Sequence, residues 1–420
     1  MYNITKLENG LTIASAEMPH MASVSVGIWV GIGSRHEPAL LNGASHFIEH
    51  LLFKGTPKRS AREISQAIEG IGGYLNAYTS EEHTCIYAKA RHDHLPDLLD
   101  VLADMFLHST FDPVEIDKER DVIKEEIAMC LDEPHQHVQE LLNAAMWPGQ
   151  PLGRPITGTV KTLDALSRKV LRDYQQKNYV AGAIVIAAAG RLRHGQILKA
   201  VKPYARYFAP KGRPNYTPAS SDQTRPAIRL YTKKTEQTQI ALGIRACSRH
   251  DPRRFALRVL NAMLGENMSS RLFQVVREDR GLAYSIYSAN TFFDDTGDLV
   301  VSAGLDLDNL EKTFRLILLE MRRFTEQTVS AAELGRASDY LAGQIDLSLE
   351  NSENQMMWAG EQWLGYGKII PPSQVKKRLA EVTATEVRAA ARDIFRPERF
   401  TVALVSPLKS AAGLDKLLAA

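Results

Sequence analysis

The amino-acid sequence predicts an α+β protein made of two homologous domains, each a mainly antiparallel sheet packed by helices. Three observations support this fold class. A pentapeptide, Ser34-Arg35-His36-Glu37-Pro38, recurs in the second half of the chain as Ser248-Arg249-His250-Asp251-Pro252. In each half, strand-like runs are adjacent and helical runs are grouped apart, which is typical of α+β domains. A proline- and serine-rich stretch without hydrophobic periodicity divides the halves and indicates a linker.

The segments around the two pentapeptides also match. Before the first, Val26, Ile28 and Val30 alternate with the period of a strand, and residues 240, 242 and 244 repeat that alternation before the second. A mostly apolar helical segment follows each copy. The pentapeptide, the strand-like alternation before it and the helical segment after it all recur. We therefore interpret the two halves as a duplication. The predicted boundaries are a first domain at residues 1–208, a linker at 209–226 and a second domain at 227–420.

The elements follow the same order in both halves. In the first half we expect strands at residues 3–8, 11–18, 23–31, 84–90 and 183–189, and helices at 44–53, 61–71, 94–106, 113–130, 137–146 and 162–177. In the second half we expect strands at residues 227–233, 238–245, 283–288 and 298–304, and helices at 256–264, 310–325, 331–348 and 384–394.

Composition and charge exclude several classes of protein. The formal net charge is +2, with basic residues scattered among acidic ones, so nucleic acid is not an expected partner. No stretch reaches the roughly 18 apolar residues of a membrane span, and the N-terminus lacks the apolar core of a signal peptide. The three cysteines are widely spaced, which favours a reducing compartment. We expect a bacterial cytoplasmic protein, with the mitochondrial matrix as the alternative.

The strongest chemical signal is His46-Phe47-Ile48-Glu49-His50. In a helix, positions i and i+4 lie on one side, so the two imidazoles can converge on one ion with Glu49 beside them. The alternative is a surface helix with solvated polar residues. The large apolar neighbours disfavour it, because such a helix has little reason to face water.

A catalytic zinc usually has three protein ligands, so a third is expected elsewhere. Helical spacing over residues 113–132 places Glu119, Val122 and Glu126 on one stripe expected to face the core, with Glu125 on the solvent side. We therefore predict Glu126 as the third ligand of a single zinc. Glu119, two turns earlier on that stripe, is predicted to orient a ligand imidazole.

These residues resemble the pitrilysin or insulinase-like peptidases, the inverted zincins with the motif His-x-x-Glu-His. Within that family the chain is similar to the short subfamily of the mitochondrial processing peptidase β subunit and its bacterial relatives. The resemblance covers essentially the whole chain, and it implies the metallohydrolase fold shared by the processing peptidases and LuxS. It also implies one active and one inactive copy. When the two pentapeptides are aligned, the three motif side chains fall on Leu260, Met263 and Leu264.

The resemblance further implies residues that contact substrate. The segment from Leu75 to Ser80 looks like the family's edge strand, so Asn76 and Ala77 are expected to bind an extended peptide substrate. Arg277 and Tyr284 resemble the family's Arg/Tyr pair, which contacts substrate opposite the zinc. Four domains form the family's working particle. We therefore expect a homodimer, with a heterodimer containing an inactive paralogue as the alternative.

These expectations together predict a zinc metalloendopeptidase that acts on peptides or on unfolded or presequence-like polypeptides. Glu49 would take a proton from the attacking water and return it to the leaving amine. Two alternatives remain. One is a non-catalytic structural or partner subunit of the same family, and the other is a zinc hydrolase with a different substrate, because fold and metal do not fix substrate.

Overall fold

The computed structural model describes residues 2–418, which contain eleven β-strands. They are β1 Tyr2–Lys6, β2 Thr12–Glu17, β3 Ser23–Val30, β4 Tyr74–Thr79, β5 Thr84–Arg91, β6 Ile184–Gly190, β7 Ala227–Thr232, β8 Thr238–Ala246, β9 Ser285–Phe292, β10 Gly297–Leu305 and β11 Phe400–Ser406. Two sheets contain them, in the orders β1-β2-β6-β3-β5-β4 and β7-β11-β8-β10-β9. Only the β2–β6 and β7–β11 pairs of these sheets are parallel, which confirms the mainly antiparallel α+β architecture.

Fifteen α-helices lie within the same residues. They are α1 Ala44–Leu52, α2 Ala61–Glu69, α3 Leu95–His108, α4 Pro113–Asp132, α5 Pro134–Met146, α6 Val160–Ala165, α7 Arg168–Asn178, α8 His194–Ala205, α9 Arg254–Asn261, α10 Leu310–Glu326, α11 Ala331–Ser348, α12 Ser352–Tyr366, α13 Pro372–Ala380, α14 Ala384–Ile394 and α15 Ala412–Leu418. Two π-helical segments, Ala262–Glu266 and Phe273–Glu278, follow α9. None of the helices described is long and apolar enough to cross a bilayer.

The two sheets repeat one strand order, which bears out the duplication. When the two pentapeptides are aligned, β2, β6, β3, β5 and β4 correspond to β7, β11, β8, β10 and β9. Strand β1 has no counterpart in the second sheet. Strand β11 and the helices α8, α12, α13 and α15 were missed from the sequence. Strand β11 is buried along its whole length and so shows no alternation, and α12 contains two glycines that lower its helix propensity.

The chain forms two compact units, each of which includes a segment from the other sequence half. Unit 1 comprises the chain up to Ile127, Arg154–Thr217 and Leu347–Ile370, and unit 2 comprises Ala128–Gly153, Pro218–Asp346 and the chain from Pro371 onward. Helix α12 therefore packs in unit 1, and α5 packs in unit 2 against β8 and β11. These two helices are equivalents in the duplication, so the halves exchange matching helices. The predicted division at residues 209–226 concerns the sequence halves and stays a prediction.

The sheet of unit 1 is covered on both faces. One face carries alternate side chains such as Val26 and Ile28 and packs against α1 and α3. The other face carries Trp29, which lies against Met356 and Gly360 of α12, and any side chain larger than a hydrogen at position 360 would collide with its indole. Helix α1 thus packs against a sheet that is covered on both faces, and it also contacts α7.

Candidate functional site

Helix α1 begins at a fixed point because the carboxylate of Glu37, a few residues before the helix, binds its first backbone amides. The carboxylate oxygens of Glu37 accept hydrogen bonds from the backbone N–H groups of Gly43 and Ser45, both at 2.7 Å. Gly43 has a φ of 96°, a conformation that favours glycine. Negative charge at a helix N-terminus is stabilising. Burial raises the pKa of Glu37 to about 7, and the hydrogen bonds from Ser45, Gly43 and Asn42 oppose that rise.

The structure brings the three predicted zinc ligands together. The Nε2 atoms of His46 and His50 lie 3.7 Å and 3.6 Å from the two carboxylate oxygens of Glu126 on α4. One ligand atom from each residue lies within 4.8 Å of the others. Among residues 2–418, this is the one group of three or more His, Cys, Asp and Glu side chains with that spacing. A single helix turn and a second helix therefore supply one cluster.

The cluster fits a zinc ion by its chemistry and by its spacing. Burial, and secondarily the neighbouring His50, lowers the pKa of His46 to about 3, so the ring is neutral as a metal ligand must be. His46 Nδ1 is buried without a hydrogen-bond partner, and Nε2 is too far from Glu126 for a hydrogen bond. Tetrahedral bonds of about 2.05 Å would separate ligand atoms by roughly 3.3 Å, close to the spacing found. A bound dication would stabilise this buried polar group.

Glu119 occupies the position expected of a residue that orients a ligand. Its Oε2 lies 3.0 Å from His50 Nδ1, and its Oε1 lies 2.7 Å from Lys54 Nζ. Because Nδ1 is held by this buried carboxylate, Nε2 of His50 is the nitrogen that faces Glu126. Lys54 was missed from the sequence. The only feature of the sequence that pointed to Lys54 was its position four residues after His50, just beyond the end of α1.

Glu49 lies beside the ligands and receives one strong hydrogen bond. The hydroxyl of Thr79, the last residue of β4, donates to Glu49 Oε2 at 2.6 Å. Burial raises the pKa of Glu49, whereas the Thr79 hydrogen bond and His50 lower it and Glu126 raises it. Sequence reasoning also missed Thr79, since nothing in the chain marks which hydroxyl meets a carboxylate on a separate helix.

The predicted substrate residues Asn76 and Ala77 lie on β4, the edge strand of its sheet. On its inner side β4 pairs with β5 in antiparallel register. Leu75 and Ala77 pack toward the core, and Thr79 lies on that same face by alternation. The opposite face carries Tyr74, whose hydroxyl donates to Glu353 of α12. The edge strand is thus fixed on both faces.

Arg277 and Tyr284 lie together in unit 2. Arg277 belongs to the π-helical segment Phe273–Glu278, and its guanidinium carbon lies 5.9 Å from the centroid of the Tyr284 ring. Both side chains line a cavity of about 390 Å³ with Gln237 and Leu282. Tyr284 is 74% exposed, so its hydroxyl is accessible to a ligand.

Two further expectations have clear outcomes. Val122 was expected to face the core but is 44% exposed, because the buried face of α4 follows Ile116, Glu119 and Ile123 and leaves Val122 at its flank. Glu125 is exposed, as expected. The counterparts of the motif residues in unit 2, Leu260, Met263 and Leu264, are all buried. They form part of an apolar core rather than a metal site.

Comparison with known proteins agrees with this arrangement. The family model described as insulinase (peptidase family M16) matches residues 12–160, and the model described as the peptidase M16 inactive domain matches residues 165–341. An uncharacterized zinc protease of Streptomyces coelicolor is 39% identical over 96% of this chain and 89% of its own length. One of Bacillus subtilis is 39% identical over 95% of this chain and 97% of its own length.

Solved structures share the fold. A protease from Helicobacter pylori superposes with a TM-score of 0.89 at 19% identity, covering 97% of this chain and 99% of the other. A chain of complex III2 from Candida albicans superposes with a TM-score of 0.85 at 19% identity, covering 99% of each chain. At such identities the likeness concerns the fold alone. On the family models and the close relatives, this chain belongs to the M16, or insulinase, family of peptidases, in which relatives are named zinc proteases.

Proposed function

We propose that the protein is a zinc metalloendopeptidase that binds one zinc per chain and cleaves peptides or unfolded or presequence-like polypeptides. The observation that carries the proposal is the convergence of His46 Nε2, His50 Nε2 and Glu126 on one point. Glu49 lies beside this cluster, and its carboxylate accepts a hydrogen bond from the Thr79 hydroxyl. Two imidazoles and a carboxylate are a typical ligand set of catalytic zinc in peptidases.

The residues around the cluster have separable tasks. When bound, zinc acts as a Lewis acid toward the scissile carbonyl and makes a water molecule acidic enough to deprotonate near neutral pH. Glu49 is the general base. Thr79 occupies its Oε2, so Oε1 is the oxygen that takes the water proton and returns it to the leaving amine. Glu119 holds His50 in the orientation that directs Nε2 at the ion.

The substrate binds as an added strand. The backbone groups of β4 face its outer side at alternate positions, Ala77 among them, and the Asn76 side chain accepts a hydrogen bond from the Ala77 N–H there. An extended peptide that pairs with this edge would gain affinity with modest sequence selectivity. Arg277 and Tyr284 add hydrogen bonds to the bound peptide. Their exposure and their shared cavity support this role.

A digest of a quenched peptide library tests the proposal. We expect cleavage by the purified protein, loss of cleavage with a chelator, and recovery when zinc is restored. Glu49→Gln should retain zinc and lose about 10²- to 10⁴-fold in kcat, the usual contribution of a general base. Glu125→Gln, a matched change at an exposed position on α4, should behave as wild type. Full activity in Glu49→Gln would refute the general-base assignment.

The assembly proposed is a homodimer in the bacterial cytoplasm. Each chain carries both the metal cluster and the Arg277/Tyr284 pair, so two copies supply everything that a shared site needs. Mixing Glu49→Gln chains with Tyr284→Phe chains should restore activity if the pair of one chain acts at the zinc of the other. Without recovery, sharing between chains is wrong, and a partner paralogue becomes the remaining candidate.

A non-catalytic subunit is the second candidate, because a chain of complex III2 shares the fold. Fold alone does not determine activity. The intact ligand set and the held Glu49 favour the enzyme. Zinc bound without peptide cleavage would favour the subunit.

A further inference from the structure

We propose that Thr79 is the positioning residue of the Glu49 carboxylate. This inference rests on the proposed function, in which Glu49 is the general base. It assigns to a side chain on the edge strand the task of fixing the base on the neighbouring helix.

The hydrogen-bond pattern gives the direction of the bond. Thr79 Oγ1 lies 2.6 Å from Glu49 Oε2 and 3.3 Å from Thr84 Oγ1. Thr84 donates its own proton to the carbonyl oxygen of Ile32 at 3.0 Å. The Thr79 proton is therefore directed to the shorter contact, the carboxylate. Hydrogen bonds from hydroxyl to carboxylate at this distance are among the strong ones in proteins.

Thr79 itself is held in place by the sheet. It pairs with Thr84 in the register of β4 and β5, and Thr84 is almost fully buried. The β-branched side chain of threonine has few χ1 rotamers, so its hydroxyl points in a defined direction. A donor fixed in this way transfers the rigidity of the sheet to Glu49.

Glu49 has no comparable support elsewhere in the part of the chain that the structure describes. Thr79 is the one hydrogen-bond partner found there for its carboxylate. A glutamate has three rotatable side-chain bonds, and the two imidazoles of α1 and the Glu126 carboxylate lie nearby. Without Thr79 the carboxylate would sample positions away from the attacking water. A misplacement of about 1 Å can reduce turnover roughly 100-fold.

The arrangement also sets a distance. Thr79 lies on the strand that carries Asn76 and Ala77, a few positions along the same backbone. The carboxylate of Glu49 and the proposed peptide-binding edge are therefore both positioned by β4. This fixes the separation between the general base and the bound peptide bond. A donor on another element would not give this constraint.

The test compares Thr79→Val, which keeps the shape but removes the hydroxyl, with Thr79→Ser, which keeps the hydroxyl. For the valine variant we expect kcat to fall about 10- to 100-fold, with KM and zinc content within about twofold of wild type and an unchanged unfolding temperature. The serine variant should recover most of the lost kcat. A purely structural role would instead change zinc content or stability and would not be rescued by serine.

The possible outcomes separate this inference from the function on which it rests. An active wild type with an unchanged kcat in Thr79→Val overturns the inference alone. So does a serine variant as slow as the valine variant, or a valine variant that loses zinc. An inactive wild type or a fully active Glu49→Gln overturns the proposed base and the inference with it.

Discussion

The two copies of the duplicated unit differ most at the helix that follows the pentapeptide. In unit 1, α1 carries His46, Glu49 and His50. In unit 2, the equivalent positions carry Leu260, Met263 and Leu264, which are buried, and the helix widens into a π-helical segment at Ala262–Glu266. The strand order is otherwise the same apart from β1.

This difference indicates that the fold does not need polar residues at these three positions. Unit 2 stabilises the region with apolar contacts, each contributing through surface removed from water. Unit 1 places partly buried polar groups at the same positions, including a ring nitrogen of His46 without a partner. Such groups destabilise a fold unless something satisfies them. Their presence in one copy only therefore indicates function rather than architecture.

The one acidic residue of each pentapeptide also differs in its surroundings between the two copies. Glu37 is buried beneath the start of α1, and its pKa is raised to about 7 by burial. Its counterpart Asp251 bonds the Arg253 side chain, and that hydrogen bond lowers the pKa of Asp251. Glu37 thus bonds the first backbone amides of α1 from a buried position, whereas Asp251 is half-buried and bonds both the backbone N–H and the side chain of Arg253 at the start of α9.

The largest expected effect comes from exchanging the residues of the two copies. His50→Leu gives unit 1 the residue found at position 264, and we expect loss of zinc and of peptide cleavage because a ligand is gone. Leu264→His makes the reverse exchange in a fully buried position, and we expect the free energy of unfolding to fall by about 2–5 kcal/mol. Metal analysis and urea unfolding of both variants check this. Zinc binding that survives in His50→Leu would contradict the comparison.

A smaller effect, on zinc affinity, is expected from replacing Lys54, which forms an ion pair with Glu119 in unit 1. Lys54→Met should weaken zinc binding about 10-fold, because residues that orient a ligand typically contribute that much. Lys54→Arg should restore most of the affinity. Competition with a chromophoric chelator measures it, and Lys58→Met, at an exposed lysine paired with Asp100, is the control. Equal affinity in Lys54→Met and Lys58→Met would show that Lys54 does not support the site.

The smallest effect is a pH dependence of stability from Glu37. Its pKa is raised from 4.5 to about 7 in the folded protein, so the folded state keeps a proton that the unfolded state releases. The free energy of unfolding should therefore fall as pH rises between about 4.5 and 7, by roughly 1–3 kcal/mol. Urea unfolding with excess chelator measures the slope without the pH dependence of metal binding.

Two variants isolate the Glu37 contribution. Glu37→Gln should flatten the slope over that range, whereas Asp251→Asn should leave it intact, because the lowered pKa of Asp251 affects stability only at more acidic pH. A slope that is unchanged in Glu37→Gln would show that another group causes it.

Periodicity explains why much of the site could be predicted from the sequence. The i, i+4 spacing of His46 and His50 places two candidate ligands on one helix face, and the same reasoning places Glu126 and Glu119 on one stripe of α4. The alternation of apolar residues and the repeated pentapeptide predict the duplicated sheets. These signals lie within short segments of the sequence, so they can be recognised without knowledge of tertiary contacts.

The features of the site and the fold that were not predicted depend on contacts between segments distant in sequence, which periodicity does not encode. Thr79 meets Glu49 across the gap between a strand end and a helix, and Lys54 reaches Glu119 on another helix. The exchange of α5 and α12 between the units leaves no mark in the hydrophobic pattern, because a helix shows the same apolar stripe whichever sheet it covers.

Metal analysis of wild type and Glu126→Ala tests the central claim most directly. Each protein would be loaded with zinc, freed of excess by gel filtration and analysed for zinc per chain, with Glu125→Ala as the matched control. We expect about one zinc per chain in wild type and in Glu125→Ala, because three ligands hold the ion, and almost none in Glu126→Ala. Stoichiometric zinc in Glu126→Ala, or none in wild type, would contradict the site described for unit 1.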